Sequence, residues 1–248
     1  MSAPASPAVV ELRRYTLRPG RRDELIDLFD REFVESQERV GMTVLGQFRD
    51  LDDPDRFVWL RGFADMTSRQ RALTAFYDGP VWAAHRDQAN ATMVDSDDVL
   101  LLRPAGPGTG VTVDPARRPP VGAPAPRRLL VATVWSFPPD AERAEVPGPG
   151  PGLVRDRLVP ALGRTGPAPL AVFGTEPAVN TFPRLPVRTG ENVVVTLGSY
   201  PDDETHRRHR ARLADDPEVR DEILPALARV ERAAPQVLRL APTGRSLL

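Results

Sequence analysis

The sequence predicts an α+β protein in which two tandem β-α-β-β-α-β units share one chain of 248 residues. Three observations lead to this fold class. The stretch Phe57 to His85 recurs in weaker form at Asn192 to Glu222, the order of elements repeats, and each predicted sheet has helices on only one face. The two uncovered faces are expected to pack together, which makes the chain an intrachain pseudo-dimeric α/β barrel.

The first unit is expected to span residues 8 to 104. Its strands are marked by alternation of apolar and polar residues or by a short apolar run. They are predicted at Val9 to Leu17, Met42 to Arg49, Arg56 to Phe63 and Asp97 to Arg103. Apolar residues recur at helical spacing up to Gly41, and two helices follow the third strand, the second starting at Pro80. This order is that of a ferredoxin-like unit.

The second unit is expected to span residues 128 to 242, after a Gly- and Pro-rich linker at residues 105 to 127 that is predicted not to pack. It repeats the order of the first unit in diverged form. Its strands are predicted at Leu129 to Phe137, Leu170 to Glu176, Asn192 to Tyr200 and Gln236 to Ala241, and its helices at Gly152 to Leu162 and from Asp202 to Val230. One inserted residue aligns Gly62 with Gly198 and Pro80 with Pro217.

Composition excludes several kinds of chemistry. The chain has no Cys and no Lys, so disulfides, thiolate catalysis, thiolate metal sites and Schiff bases are all excluded. A net charge of -1, with Arg interleaved among Asp and Glu, leaves no basic stripe for nucleic acid. The apolar runs are far shorter than the roughly 20 residues that cross a bilayer, and no signal-peptide pattern is present. We therefore expect a cytoplasmic protein without a membrane partner.

Three stretches of the first unit carry a family resemblance. ELRRYTLRPGRRDELIDLF at Glu11 to Phe29, RFVWLRGFAD at Arg56 to Asp65 and FYDGPVWAAHR at Phe76 to Arg86 resemble the NIPSNAP family. The resemblance implies the dimeric α/β-barrel form of the ferredoxin-like fold. Neighbouring families include antibiotic-biosynthesis mono-oxygenases, muconolactone isomerases and heme-using enzymes, which implies a small molecule bound between sheet and helices or within the barrel. No catalytic signature carries over, and no cofactor is expected.

A first candidate site lies around the helix that starts at Pro80. His85 is expected to share a helix face with Trp82, and with Tyr77 one turn further back. This pattern is typical of a general base at the mouth of an aromatic pocket, because imidazole titrates near neutral pH. The alternative is a half-buried structural histidine. Asn90 either orients a ligand near His85 or caps the end of the helix.

Polar and aromatic residues of the first and third strands form a second candidate site. Successive residues of a strand point to opposite faces of the sheet. If the apolar residues of these strands face the helices, the polar and aromatic residues between them point into the space between the two sheets. The apolar neighbours are Val10 and Leu12, and the candidate residues are Glu11, Arg13, Tyr15, Trp59 and Arg61. One interpretation is a fixed ion pair that closes the barrel. The other is a polar patch in which Arg holds an anionic or enolate oxygen and Tyr15 donates a hydrogen bond.

His206 and His209 form a third candidate, because they lie at i and i+3 on one helix after Asp202. Two imidazoles and a carboxylate can ligate a metal. The neighbouring Arg residues repel a cation, so we predict a solvated polar helix and no metal site.

Together these patterns predict that the chain binds a hydrophobic or aromatic small molecule, with mono-oxygenase- or isomerase-like chemistry in secondary metabolism. Catalytic roles fall to His85, Tyr15 and Arg61, and substrate contacts to Tyr77, Trp82, Trp59, Arg13, Glu11 and Asn90. The alternative is a non-catalytic binding or scaffold protein. A third hypothesis keeps a site in one half only. The repeat has Val219 in place of Trp82 and Glu222 in place of His85, which favours a site in the first half. The sequence also permits further association into a homo-oligomer.

Overall fold

The first unit of the computed structural model, which describes residues 4–139 and 150–248, contains the predicted elements. Its strands are β1 (Val9–Leu17), β2 (Thr43–Asp50), β3 (Arg56–Phe63) and β4 (Met93–Pro104). Its helices are α1 (Arg22–Leu28), α2 (Val34–Arg39), α3 (Met66–Tyr77) and α4 (Pro80–Thr92), with a π-helical turn at Phe29–Phe33 between the first two. The predicted starts of β3 and α4 are confirmed to the residue. Pro80 suits the first helical position because its missing N–H has no partner there in any case.

The second unit repeats this order. Its strands are β5 (Leu129–Ser136), β6 (Ala171–Thr175), β7 (Val193–Tyr200) and β8 (Ala233–Pro242). Its helices are α5 (Pro151–Leu153), α6 (Val159–Thr165), α7 (Asp203–Asp215) and α8 (Leu224–Val230), with π-helical turns at Val154–Leu158 and Val219–Ile223. Among the described residues, every helix is too short or too polar to cross a membrane.

The described strands close into one antiparallel barrel in the order β1-β3-β2-β8-β5-β7-β6-β4. The two units meet at two seams. Phe48 of β2 lies opposite Pro242 of β8 at one seam, and Leu102 of β4 lies opposite Thr175 of β6 at the other. Because each unit supplies half of the barrel, the predicted intrachain pseudo-dimer is confirmed.

The barrel interior is packed with apolar side chains, and it corrects one prediction. Val10 and Leu12 point into the barrel, where they join Leu60, Leu130 and Leu197 in one core cluster. The odd-numbered residues of β1 therefore face the helices, and the predicted facing was wrong. Nearly all residues of β1 are buried, on both faces of the strand. The alternation of side chains therefore assigns residues to two faces but does not show which face packs against the helices.

The segment between the units also packs, contrary to the prediction for residues 105 to 127. Val111 and Val113 are buried in the barrel cluster together with Leu248 near the other end of the chain. Arg118 donates to Glu38 Oε1 at 2.6 Å and so fixes this segment to the first unit. A chain rich in Gly and Pro packs here because its few apolar residues join the buried cluster of the barrel.

The repeat needs no inserted residue, which corrects the alignment of Gly62 with Gly198. Gly62 lies opposite the inward-facing Val10, whereas Gly198 lies opposite Val131 and faces the helices. The residue of the first unit that corresponds to Gly198 is therefore Arg61, which lies opposite Glu11. The same offset aligns the helix caps Asp65 and Asp202, and Pro80 with Pro217.

Candidate functional site

A buried ionic cluster occupies the layer between sheet and helices in the first unit. The carboxylate of Glu11 accepts from Arg13 Nη1 at 2.6 Å, from Arg61 Nε at 2.8 Å and from Arg69 Nε at 2.6 Å. All four side chains are fully buried. Burial by itself raises the pKa of Glu11, but attraction to Arg61, Arg13 and Arg69 holds that pKa far below its usual range. The predicted ion pairs exist, in the helix layer rather than inside the barrel.

Neutral groups bind two further donors of this cluster, while Arg61 Nη2 and Arg69 Nη2 have no hydrogen-bond partner within the described residues. Arg61 Nη1 donates to Gln37 Oε1 at 3.2 Å, and Arg69 Nη1 donates to Asn180 Oδ1 at 2.9 Å. The Trp59 ring centroid lies 5.1 Å from the Arg61 guanidinium, at cation–π distance. These contacts position Trp59 and Arg61 in the layer, although Trp59 Nε1 has no hydrogen-bond partner within the described residues.

Arg69 was missed by the sequence reasoning, although the sequence contains a signal for it. It precedes Ala72, Leu73 and Phe76 at spacings of three, four and seven residues, and all three are buried on α3. A charged residue on the apolar stripe of a helix requires a buried partner. This spacing could have pointed to the carboxylate of Glu11.

A cleft of about 330 Å³ opens at the edge of this layer, and we call it the Tyr15 cleft. Four of the predicted site residues lie together on it, namely Tyr15, Tyr77, Trp82 and Asn90. Phe182, from the loop that precedes β7, also lines it and stacks on Tyr77 with ring centroids 5.8 Å apart. Tyr15 connects the cleft to the ionic cluster, because its hydroxyl accepts from Arg13 Nε at 3.0 Å.

His85 is not among the residues that line this cleft. Its Nε2 lies 3.6 Å from Glu32 Oε2, and its ring packs edge-on against Phe33. The prediction placed Tyr77 one turn before His85 and Trp82 on the same face, but Tyr77 lies on α3 and the chain turns at Asp78-Gly79 before α4 begins. A catalytic role for His85 stays a prediction, at a position outside the cleft.

A larger apolar pocket occupies the corresponding layer of the second unit, and we call it the Tyr200 pocket. Its volume is about 350 Å³. The sheet contributes Val131, Thr133 and Trp135 of β5 and Thr196, Gly198 and Tyr200 of β7, and α7 contributes His206, His209 and Leu213. The third hypothesis favoured a site in the first half, yet this pocket lies in the second.

Strand register explains why this pocket exists. Glu11 lies opposite Arg61 and Arg13 opposite Trp59 in the first unit, while Val131 lies opposite Gly198 and Thr133 opposite Thr196 in the second. The constant offset within the repeat also places His206 where Arg69 stands. The pairs, first unit then second, are Glu11 and Val131, Arg13 and Thr133, Trp59 and Thr196, Arg61 and Gly198, and Arg69 and His206. Every bulky or charged member of the ionic cluster is thus replaced by a smaller side chain.

Two histidines of α7 line the Tyr200 pocket. His209 Nδ1 lies 2.9 Å from the Tyr200 hydroxyl, and His209 Nε2 lies 3.0 Å from Leu162 O and 3.1 Å from Thr165 Oγ1. His206 is 5% exposed and packs against Tyr200, and within residues 4–139 and 150–248 its ring shows no hydrogen bond. Burial lowers the pKa of both imidazoles.

The prediction of a solvated polar helix was wrong for these two residues. They form the buried stripe of α7, while the neighbouring Arg207 and Arg208 are exposed. The part of the chain that the structure describes contains no group of three or more His, Cys, Asp or Glu side chains that could hold a metal ion.

Comparison with known proteins agrees with this architecture. Residues 10–107 match the family model of NIPSNAP. No curated protein matches the chain by sequence. Among solved structures, a protein from Lactobacillus acidophilus NCFM, provisionally assigned as a monooxygenase, is similar over 96% of this chain and 94% of its own, with 13% identity and a TM-score of 0.54.

Two further structures show the same fold over nearly the whole chain. An anthrone oxidase-like protein is similar over 97% of this chain and 94% of its own, with 13% identity and a TM-score of 0.53. A dye-decolorizing peroxidase from Bacteroides thetaiotaomicron VPI-5482 gives the same coverage and TM-score at 10% identity. At these identities the likeness is one of fold. The chain therefore carries a NIPSNAP domain in its first unit, set in an α/β barrel that the second unit completes.

Proposed function

We propose that this chain binds a hydrophobic small molecule in the Tyr200 pocket. The observation that carries the proposal is the replacement of a buried ionic cluster by small and apolar side chains at the same place in the second unit. A volume of about 350 Å³ lies within the range of about 300–1,000 Å³ usual for ligand pockets. The apolar walls favour an aromatic or aliphatic body, and the exposed side chains of Leu224 and Val237 give the pocket an apolar mouth.

His206 is the group that we expect to contact the polar part of the ligand. Its ring lines the pocket and has no hydrogen bond to the described protein, whereas both nitrogens of His209 are engaged. Because burial lowers the pKa of His206, the imidazole is neutral at neutral pH and can accept a proton. If the bound molecule loses a proton to His206 and regains it at another carbon atom, the net result is an isomerisation that requires no oxidant.

The structural neighbours add a second reaction class to this proposal. One is provisionally assigned as a monooxygenase and another is described as anthrone oxidase-like, so oxygenation of an aromatic compound should be screened beside isomerisation. This suggestion rests on shared fold and is a hypothesis about this chain, as is a place in secondary metabolism. The alternative function is binding without turnover, which the same pocket supports.

Binding can be tested with N-phenyl-1-naphthylamine, a neutral dye whose fluorescence rises in apolar surroundings. We expect saturable binding to the purified chain. Thr196→Trp places in the second unit the side chain that Trp59 provides in the first, and it should fill the pocket. The dye affinity should then fall by at least about tenfold, which corresponds to about 1.4 kcal/mol of binding free energy.

Ala211→Trp is the matched control, because Ala211 is exposed on α7 and does not line the pocket. This variant should bind the dye as the unmodified chain does. Circular dichroism and urea unfolding would verify that both variants are folded. Equal affinity in Thr196→Trp and Ala211→Trp would show that the dye binds elsewhere and would overturn the proposal.

A further inference from the structure

The ionic cluster of the first unit carries more positive than negative charge. Three guanidinium groups share the carboxylate of Glu11, and their other described partners are neutral amide, hydroxyl and carbonyl groups. Two positive charges of the cluster are therefore not balanced by a carboxylate within the described residues. In a buried environment such charge acts more strongly on nearby groups than it does in water.

Tyr15 extends this positive field to the surface of the protein. Its hydroxyl accepts from Arg13 Nε at 3.0 Å, and its side chain lines the Tyr15 cleft. The phenolic proton has no acceptor in the part of the chain that the structure describes. An oxygen that accepts this proton would lie at hydrogen-bond distance from Tyr15 and within about 6 Å of the Arg13 guanidinium. A negative charge on that oxygen would interact favourably with both groups.

The walls of the cleft are aromatic. Tyr77 and Trp82 meet edge to face with ring centroids 4.9 Å apart, and Phe182 continues the wall from the second unit. Two further guanidinium groups lie among the lining residues, but each has a carboxylate nearby. Arg184 donates to Asp78 at 2.8 Å, and Arg86 lies 3.5 Å from Asp87. The attraction for an anion therefore comes mainly from the cluster behind Tyr15.

We propose that the Tyr15 cleft is a second ligand site and that it binds a small aromatic carboxylate. The ring packs against Trp82 and Tyr77, and one carboxylate oxygen accepts from the Tyr15 hydroxyl. This site differs in position and in chemistry from the Tyr200 pocket, whose walls are mostly apolar and where His206 and Trp135 Nε1 have no hydrogen-bond partner within the described residues. The proposal does not depend on the function proposed for the second unit.

The test compares 2-naphthoate with its neutral isostere 2-naphthamide by isothermal titration calorimetry. Both titrations use the Thr196→Trp variant, in which the Tyr200 pocket is filled, so that a failure of the first proposal does not affect this one. We expect the carboxylate to bind at least about tenfold more tightly than the amide, and this preference to weaken as salt is added. Tyr15→Phe removes the hydroxyl donor and should reduce the preference, while the amide affinity stays within about twofold.

A second variant keeps the proposal testable if Tyr15→Phe does not fold. Asn90 is exposed and lines the cleft, so Asn90→Trp should block the cleft without disturbing the core and should abolish 2-naphthoate binding. Ala91→Trp, on the exposed adjacent residue that does not line the cleft, is the matched control and should leave binding unchanged. Equal affinity for carboxylate and amide, or full binding to Asn90→Trp, would overturn the proposal.

Discussion

In the first unit, the layer between sheet and helices is filled by aromatic rings and by an ionic cluster. Phe29, Phe33, Phe57, Trp59 and Phe76 are all buried there around the helices. In the second unit, the same layer is built from smaller residues. One buried cluster there consists of Val, Leu, Ile and Ala side chains with Phe137, and a smaller one contains Leu129, Val131 and Tyr200.

The difference shows how one fold provides either a rigid layer or a pocket. The Tyr200 pocket does not require an inserted loop or a new element. Gly198 and Thr196 stand where the first unit has Arg61 and Trp59, and the smaller side chains leave space between sheet and helices. The unit that matches the NIPSNAP family model is the filled one. The family match therefore identifies the fold of residues 10–107 and does not by itself locate a pocket.

The largest expected effect on stability comes from removing the charge at the centre of the ionic cluster in the first unit. Glu11→Gln removes the carboxylate that three buried guanidinium groups share, and it leaves them without a counter-charge. We expect the free energy of unfolding to fall by about 3–5 kcal/mol, as is usual when one partner of a buried ion pair is removed. Urea unfolding followed by circular dichroism would measure it.

Val131→Thr is the matched control at the corresponding position of the second unit. It replaces a methyl group by a hydroxyl of similar size in a layer whose described residues form no buried ion pair, and we expect a loss of about 1–2 kcal/mol. A Glu11→Gln variant as stable as Val131→Thr would mean that the ionic cluster contributes no more than ordinary packing.

The parts of this molecule that sequence predicts well are those fixed by local chemistry. The start of α4 at Pro80 and the strand β3 follow from backbone preference and alternation. The facing of β1 did not follow, because both of its faces are buried and only the packed barrel distinguishes them. The rule that a large polar residue turns away from helices fails where Gln37 and Asn180 supply partners in that layer.

The Tyr200 pocket could not be predicted from any single residue that lines it. A pocket is space that neighbouring side chains leave empty, and it depends on residues from β5, β7 and α7 together. Thr133, Thr196 and Gly198 carry no signal of their own in the sequence. The alignment of the two repeats with one inserted residue matched Gly198 with Gly62. It therefore hid the correspondence between Gly198 and Arg61.

An intermediate effect should appear in how the free energy of unfolding depends on pH, because the buried histidines of the second unit titrate in a range where Glu11 of the first unit does not. Burial lowers the pKa of His206 and His209, so the unfolded chain binds protons near pH 6.5 that the folded chain resists. These two histidines should therefore lower the free energy of unfolding as the pH drops through about 6.5, whereas Asp30, whose pKa burial raises to about 6, acts in the opposite direction. The ionic cluster adds no such loss in this range, because the arginines hold the pKa of Glu11 far below it. His206→Gln should reduce the loss measured between about pH 8 and pH 5 by urea unfolding, and an unchanged slope would contradict this account.

The smallest effect should be equal in the two units, because it concerns a feature that they share. Asp65 Oδ1 accepts from Ser68 N at 2.6 Å at the start of α3, and Asp202 Oδ1 accepts from Thr205 N at 2.7 Å at the start of α7. Each cap acts on the first turn of its own helix rather than on the layer beneath it. Asp65→Ala and Asp202→Ala should therefore lower the midpoint of thermal unfolding by small and equal amounts, while Asp→Asn at either position should restore most of the loss. A clearly larger loss for Asp202→Ala would mean that α7, lying over the Tyr200 pocket, depends more on its cap because the pocket leaves it less well packed.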